Sequence, residues 1–374
     1  MSRYDLKKII NLRHQLHKHP EVSNNELNTK KILIDFLANN TSLQIVDKGK
    51  WFYAFYLHGG KSKKIAFRAD FDAILMDEFL ELEYGSINEG IAHKCGHDGH
   101  SAILAALAIE VEKIQPNKDV FFVFQHAEET GEGAFNCKEV INEHNIDEVY
   151  AFHNTSGIAK NSVMIKNGLM NFASKGMIIE LIGIPTHASQ PENGINPAVA
   201  FSKIIEKIDK LSSSNKYKGL VLATIIQIDV GQEAFGIAAS EGKLLLTIRA
   251  EDESELNELE REICEFVKRI SLDQKLEYKI SFKEEFPSTV NHKQSVKKVM
   301  NVCNDLGLKM INIAQGMRGS EDFGYYLKET KGALFYVGNG MNYPPLHTKK
   351  YDFNDEIIET VLDIFLSLID YEVI

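Results

Sequence analysis

The order in which apolar periodicities succeed one another constrains this fold more than any other feature of the sequence. Leu6, Ile9, Ile10, Arg13 and Leu16 recur at helical spacing, and Pro20 closes that element. A second helix is expected over 25–38. Short apolar runs at 51–57, 64–67, 120–124 and 149–152 read as strands, and 97–111, rich in alanine, leucine and isoleucine, reads as a buried helix. Strands alternating with helices predict an α/β sheet containing parallel pairs. Near Phe172 the texture changes to strand 176–182, helix 197–211, strands 220–228 and 243–249, helix 254–270 and strand 276–282. This β-α-β-β-α-β order is the ferredoxin-like pattern, and Asp252 with Glu255 is placed to form a capping box on its second helix. Helix 294–306, strand 333–337 and a last helix from 354 resume the alternation. The expectation is an α/β domain with a mixed sheet flanked by helices, built from 1–172 and 287–374, interrupted by a ferredoxin-like α+β domain at 173–286.

Composition enters by exclusion. The 42 basic and 53 acidic residues give a net charge of −11, so there is no electrostatic footprint for nucleic acid or an anionic membrane. No run approaches the roughly 20 apolar residues that span a bilayer, and charges interrupt the apolar pattern of 1–21, unlike a secretory signal. Four cysteines in 374 residues are too few for a disulfide scaffold and point to a reducing compartment. A soluble, cytoplasmic protein is expected.

Several strands of the first domain run into residues that a core does not accept. KIAFRADFD ends on Asp70 and Asp72, VFFVFQHAEE on Glu128 and Glu129, and EVYAFH on His153. Ligands of open α/β sheets bind outside the carboxyl ends of the strands, although strand ends are also where solvated residues collect. The densest cluster is HKCGHDGH at 93–100, just before the buried helix. Cys95 and His97, separated by Gly96, can turn a thiolate and an imidazole toward one cation; the plainer reading is a capping loop with surface histidines. Adjacent residues leaving a strand point to opposite sides. One carboxylate of Glu128-Glu129 could therefore ligate while the other faces substrate as a general base, or the pair is an exposed acidic turn. His347 follows a rigid Tyr343-Pro344-Pro345 loop.

With these segments, the chain resembles the metal-dependent aminoacylase-like amidohydrolases. The resemblance is strongest to the subfamily of indole-acetyl-amino-acid hydrolases, hippurate hydrolases and N-acetyldiaminopimelate deacetylases. It runs through LRHQLHKHPE at 12–21, RADFDA at 68–73, HKCGHDGH, FQHAEE at 124–129 and FHN at 152–154. It continues through GIPTHASQP at 183–191, LTIRA at 246–250, GSEDFGY at 319–325 and LHTKKYDF at 346–353. The resemblance implies a two-metal centre held by Cys95, His97, Glu129, His153 and His347, with Glu128 as catalytic acid/base on a metal-activated water. It makes Asp70 an outer carboxylate orienting a ligand histidine. Arg68 stands where related peptidases have a metal-binding histidine, as is normal in this subfamily. One thiolate, one carboxylate and three imidazoles suit Zn, Ni, Co or Mn better than Mg or Ca. The interrupting domain would serve as lid and dimerisation surface, giving a homodimer. His187 there would polarise the substrate carbonyl, and Arg249 would pair with the substrate carboxylate. The implied activity is cleavage of the amide bond of small N-acyl amino acids.

The chain departs from the subfamily in two places. An Asn-Val-Ile-Pro-type segment is usual 13 residues before the lid arginine, whereas this chain has Phe235-Gly236-Ile237-Ala238-Ala239-Ser240, with Gly236 at the amide position. Ile74-Leu75 also replaces the usual Leu-Pro. A dipeptidase or carboxypeptidase of the wider family, or a non-catalytic metal- or amino-acid-binding relative, are the alternatives.

Overall fold

The computed structural model describes residues 4–370. They form two compact units: one holds residues up to Met170 with Thr289–Gly316 and Glu321 onward, the other Asn171–Ser288 with Met317–Ser320.

An eight-stranded mixed sheet runs through the first unit, in the order Gln44–Asp47, Phe52–Tyr56, Asp119–Gln125, Lys64–Asp70, Glu148–Ser156, Lys331–Gly340, Val163–Met164 and Met310–Ile311. Its centre is parallel: Lys64–Asp70 lies between Asp119–Gln125 and Glu148–Ser156, and the latter pairs with Lys331–Gly340. These central strands are apolar along their length because both faces are covered. The register sets Asp70 opposite Gln125 and His153 opposite Tyr336, so the polar ends of three strands emerge on the same side. The strand Gln44–Asp47 has no counterpart in the sequence reading. It is a half-exposed edge strand with too little apolar alternation to declare itself.

Helix His97–Ile114 is buried from His97 through Ala108 and again at Val111. An all-round apolar sequence demands such a site; it packs in the main core with Leu12, Leu16, Phe67 and Phe365. Helix Leu6–Lys18 buries Ile9, Arg13 and Leu16 of the expected set, leaves Leu6 and Ile10 partly buried, and buries Leu12 and His17 as well. Both polar side chains converge on Asp98. Arg13 reaches it at 3.5 Å while also holding Asp352 at 2.8 Å and Asp355 at 2.9 Å. His17 bonds Asp98 through Nδ1 at 2.8 Å and Glu78 through Nε2 at 3.0 Å.

The second unit is a four-stranded antiparallel sheet in the order Val221–Val230, Glu241–Ala250, Ala173–Ile182, Glu277–Phe286, with helices Ala198–Ser212 and Glu253–Asp273. In the unit's own strand numbering this is 2-3-1-4, the ferredoxin-like arrangement. Met177, Ile179 and Leu181 alternate with Leu244, Leu246 and Ile248 on the inner face, against Leu256, Leu259, Ile263 and Val267 of the long helix. The expected capping box forms by half. Asp252 caps Ser254 N, but the Glu255 carboxylate turns to the backbone N–H groups of Lys218 and Gly219 at 2.6 and 3.1 Å. Two orphan donors in a loop outcompete the single one at the helix start.

His17 carries a testable consequence. Burial opposes its charge, but the hydrogen bonds to Asp98 and Glu78 raise its pKa to about 9. The stabilisation is complete below pH about 6.5 and is lost as pH rises through 9. It amounts to on the order of 3 kcal/mol. Chemical denaturation of the wild type between pH 7 and 10 should show this loss, and His17→Gln should remove most of it; an unchanged slope in the variant would refute the assignment.

Candidate metal centre

The Cys95–Gly96–His97 loop precedes the buried helix, and Gly96 adopts φ +103° at the helix start. A Cβ there would meet Asn154 Oδ1 at 2.4 Å and the Tyr351 hydroxyl at 2.7 Å, so only glycine lets this loop approach the end of strand Glu148–Ser156. The close approach brings Cys95 Sγ to 3.4 Å from His153 Nε2. The imidazole of His153 donates from Nδ1 to Asn154 O at 2.7 Å, turning Nε2 toward the thiol. His97 is oriented the same way: its Nδ1 faces Asp72 O at 3.0 Å and Asp72 Oδ1 at 3.1 Å, and its Nε2 is buried with no hydrogen-bond partner.

Glu128 and Glu129 arrive from the neighbouring strand. That strand ends at Gln125, and the chain then turns through Ala127, which has φ +48° and donates its N–H to Glu26 at 2.8 Å. Strand alternation therefore does not govern the pair. Both carboxylates come within 3.9 Å of His97 Nε2 instead of facing opposite sides. Glu129 Oε1 is buried without a hydrogen bond and lies 3.5 Å from His347 Nε2. Donor sets at this centre include Cys95 with His97 and His153, Cys95 with Glu129 and His347, and His97 with Glu128 and Glu129; within each, the ligand atoms are all within 4.8 Å of one another.

The electrostatics show what this arrangement lacks. Burial, Glu129, Glu128 and Asp70 together push the Cys95 thiol well above its ordinary range. Burial, Glu321 and Glu129 do the same to the Glu128 carboxyl. His97 is driven up to about 10, burial being overcome by Asp70 and Asp72. Acceptors crowd a buried space, and His97 Nε2 and Glu129 Oε1 are left without a hydrogen-bond partner at its centre. A divalent ion is the charge that such a donor set fits.

Other predicted residues take defined places. Asp70 bonds His100 Nδ1 and Arg68, each at 2.7 Å, and its carboxylate is 3.8 Å from His97 Nε2; the carboxylate bonded to His97 Nδ1 is that of Asp72. His100 is engaged on both nitrogens, by Asp70 and by Asn154 Oδ1 at 2.7 Å, and is not free to ligate. Arg68 is buried and also holds Gln125, Glu321 and Asp322. The sequence reading gave no role to Gln125, Asn154, Glu321 or Asp322. All four lie inside quoted motifs, but a polar residue in a motif does not reveal its partner. On the second unit His187 is exposed, its Nδ1 bonded to Ser189 Oγ at 2.6 Å. The departing segment lies beside it, with Ala188 N donating to Gly236 O at 3.0 Å and open space at the Gly236 Cβ position. Arg249 is tethered by Ser320 Oγ at 2.6 Å and Arg318 O at 3.0 Å.

The chain is similar to known proteins. The profile of peptidase family M20/M25/M40 matches residues 66–371. The chain belongs to that family. It is a hydrolase. A hippurate hydrolase of Campylobacter jejuni is 30% identical over 96% of this chain and 94% of its own length. An N-acetyldiaminopimelate deacetylase of Oceanobacillus iheyensis is 28% identical over 96% and 97%. A dinuclear metal binding M20 peptidase of Bacillus subtilis shares the fold, with TM-score 0.81, 22% identity and coverage of 97% of each chain.

Gly96→Ala tests the loop geometry. The strain of φ +103° and the collision with Asn154 and Tyr351 should cost about 1–3 kcal/mol, read as a lowered midpoint of denaturation, with weakened metal binding. Wild-type values of both would contradict the geometry.

Proposed function

We propose that this chain cleaves the amide bond of small N-acyl amino acids, with acetyl or aromatic acyl groups, using two divalent ions of the Zn, Mn, Co or Ni class. The observation that carries the reading is the convergence of Cys95, His97, Glu129, His153 and His347, with unpaired His97 Nε2 and Glu129 Oε1 between them. These five residues would hold the ions. When bound, such ions acidify a coordinated water and polarise the substrate carbonyl.

The remaining work falls to side chains of the protein. Glu128 accepts a proton from the attacking water and delivers it to the leaving amine nitrogen; its burial beside Glu129 and Glu321 favours the proton-bearing form needed for that delivery. Asp72 fixes the His97 imidazole so that Nε2 faces the centre, and Asp70 with Arg68 braces His100. His187 and Arg249 are the substrate-binding groups of the second unit. His187 has Nδ1 engaged by Ser189, and Arg249 is held by Ser320 so that its fork is ordered before a carboxylate arrives. The names of the hippurate hydrolase and N-acetyldiaminopimelate deacetylase relatives support an N-acyl amino acid as substrate. Exposed Ile226 and Ile228 on the edge strand Val221–Val230 support a homodimer formed through this unit. The four free cysteines fit the reducing cytoplasm.

Activity should appear on N-acetyl or N-benzoyl amino acids and be absent on dipeptides, in protein reconstituted separately with Zn, Mn, Co and Ni; dipeptide turnover alone would replace this reading with a dipeptidase. Glu128→Gln should retain both ions by elemental analysis while turnover falls about 10²–10⁴-fold. Turnover close to wild type would remove Glu128 from its role.

A further inference from the structure

His347 differs from the other donors of the centre. Cys95, His97 and His153 are buried and fixed by the packing around them, whereas His347 is exposed. It sits at φ +57° on a loop without regular structure. A non-glycine residue in that conformation persists only where its surroundings impose it. The imposing group is the lysine beside Cys95. Lys94 is completely buried, an exceptional environment for lysine. Its backbone carbonyl accepts the His347 N–H at 2.7 Å. Its ammonium donates to Tyr351 O at 2.7 Å and to the Glu78 carboxylate. One residue thereby grips the 347–351 loop at both ends.

The grip is anchored on both sides. Glu78 also accepts from His17 Nε2 at 3.0 Å and Ser86 N at 2.9 Å, and its carboxyl is held down to about 2, burial being overcome by His17 and Lys94. The Tyr351 hydroxyl accepts from Asn154 Nδ2 at 2.6 Å, next to His153. The loop also ties to the Glu78 segment, through Phe79 N to Lys349 O at 3.0 Å and Lys349 Nζ to Asp77 at 2.9 Å.

We propose that Lys94, anchored by Glu78, is a positioning residue that latches the 347–351 loop and so presents His347 to the centre, making one of the two ions depend on a residue that does not ligate it. The inference rests on the ligand set proposed above. Its signature is selective. Losing the latch loosens the donor set of Cys95, Glu129 and His347 and spares that of Cys95, His97 and His153.

The experiment compares Lys94→Met, Glu78→Gln, His347→Ala and the Lys94→Met/His347→Ala pair, each dialysed against buffered Zn²⁺ and assayed for bound metal per chain. Lys94→Met should weaken one ion about 10–100-fold and leave the other at wild-type affinity, Glu78→Gln should do so to a smaller extent, and the double variant should lose no more than His347→Ala. Two ions at wild-type affinity in Lys94→Met, beside a lost ion in His347→Ala, would overturn the latch; equal weakening of both ions in Lys94→Met would reduce Lys94 to a general structural role and overturn it as well. Both ions retained in His347→Ala would overturn the ligand set itself, a separate failure. Should Lys94→Met not fold, Glu78→Gln decides, and unaltered metal binding in it sinks the proposal.

Discussion

Burying like charges together is costly unless something of opposite charge is buried with them, and the first unit is organised around that cost. Asp70, Asp72 and Glu128 are enclosed at the carboxyl ends of neighbouring strands, with Glu129 close by. Protein cations meet part of the demand. Arg68 serves Asp70, Glu321 and Asp322, and Asp70 has a further hydrogen bond to His100 Nδ1. At the centre the acids act on His97, which Asp70 and Asp72 drive up to about 10 against its burial. His97 Nε2 and Glu129 Oε1 lie 3.9 Å apart, each without a hydrogen bond, and burial with three acids pushes the Cys95 thiol well above its ordinary range. Such a donor set fits a divalent ion.

Everything around the centre serves to aim these donors. The positive φ of Gly96 brings the Cys95–His97 loop onto the end of strand Glu148–Ser156, and the left-handed Ala127 turns both glutamates the same way. Outer partners fix which nitrogen of each histidine is free: Asp72 for His97, and Asn154 O for His153. Behind that shell a second ionic layer of Arg13, His17, Glu78, Lys94 and Asp98 ties the first helix, the buried helix and the 347–351 loop into one body. Such layers stabilise through mutual compensation, since removing one member leaves the others buried and unpaired.

Much of this was legible in the sequence because periodicity is a local property. The strands at 64–67 and 120–124, the buried helix from His97 and the β-α-β-β-α-β block all announce themselves through side-chain spacing within a dozen residues. Cys95 and His97 could be singled out for the same reason, as two donors on one glycine-containing loop. What stayed hidden depended on distant parts of the chain. Glu255 had the spacing of a capping box, yet two backbone donors in a loop claimed it. The Glu128-Glu129 pair seemed to leave a strand, but the strand had already ended at Gln125.

By itself the sequence determined the layered α/β architecture, the ferredoxin-like order of the second unit and the stock of donor residues, because pattern and residue chemistry are written position by position. It also determined membership of a hydrolase family, since nine motifs in fixed order survive in the linear text. Tertiary structure alone decided how those donors are used. Asp72 is the carboxylate bonded to His97 Nδ1, while Asp70 braces His100; Lys94, an unremarkable letter between His93 and Cys95, grips a loop more than 250 residues away in sequence. The reason is physical: burial and hydrogen-bond partnership belong to pairs of residues brought together by folding, and no single position carries them.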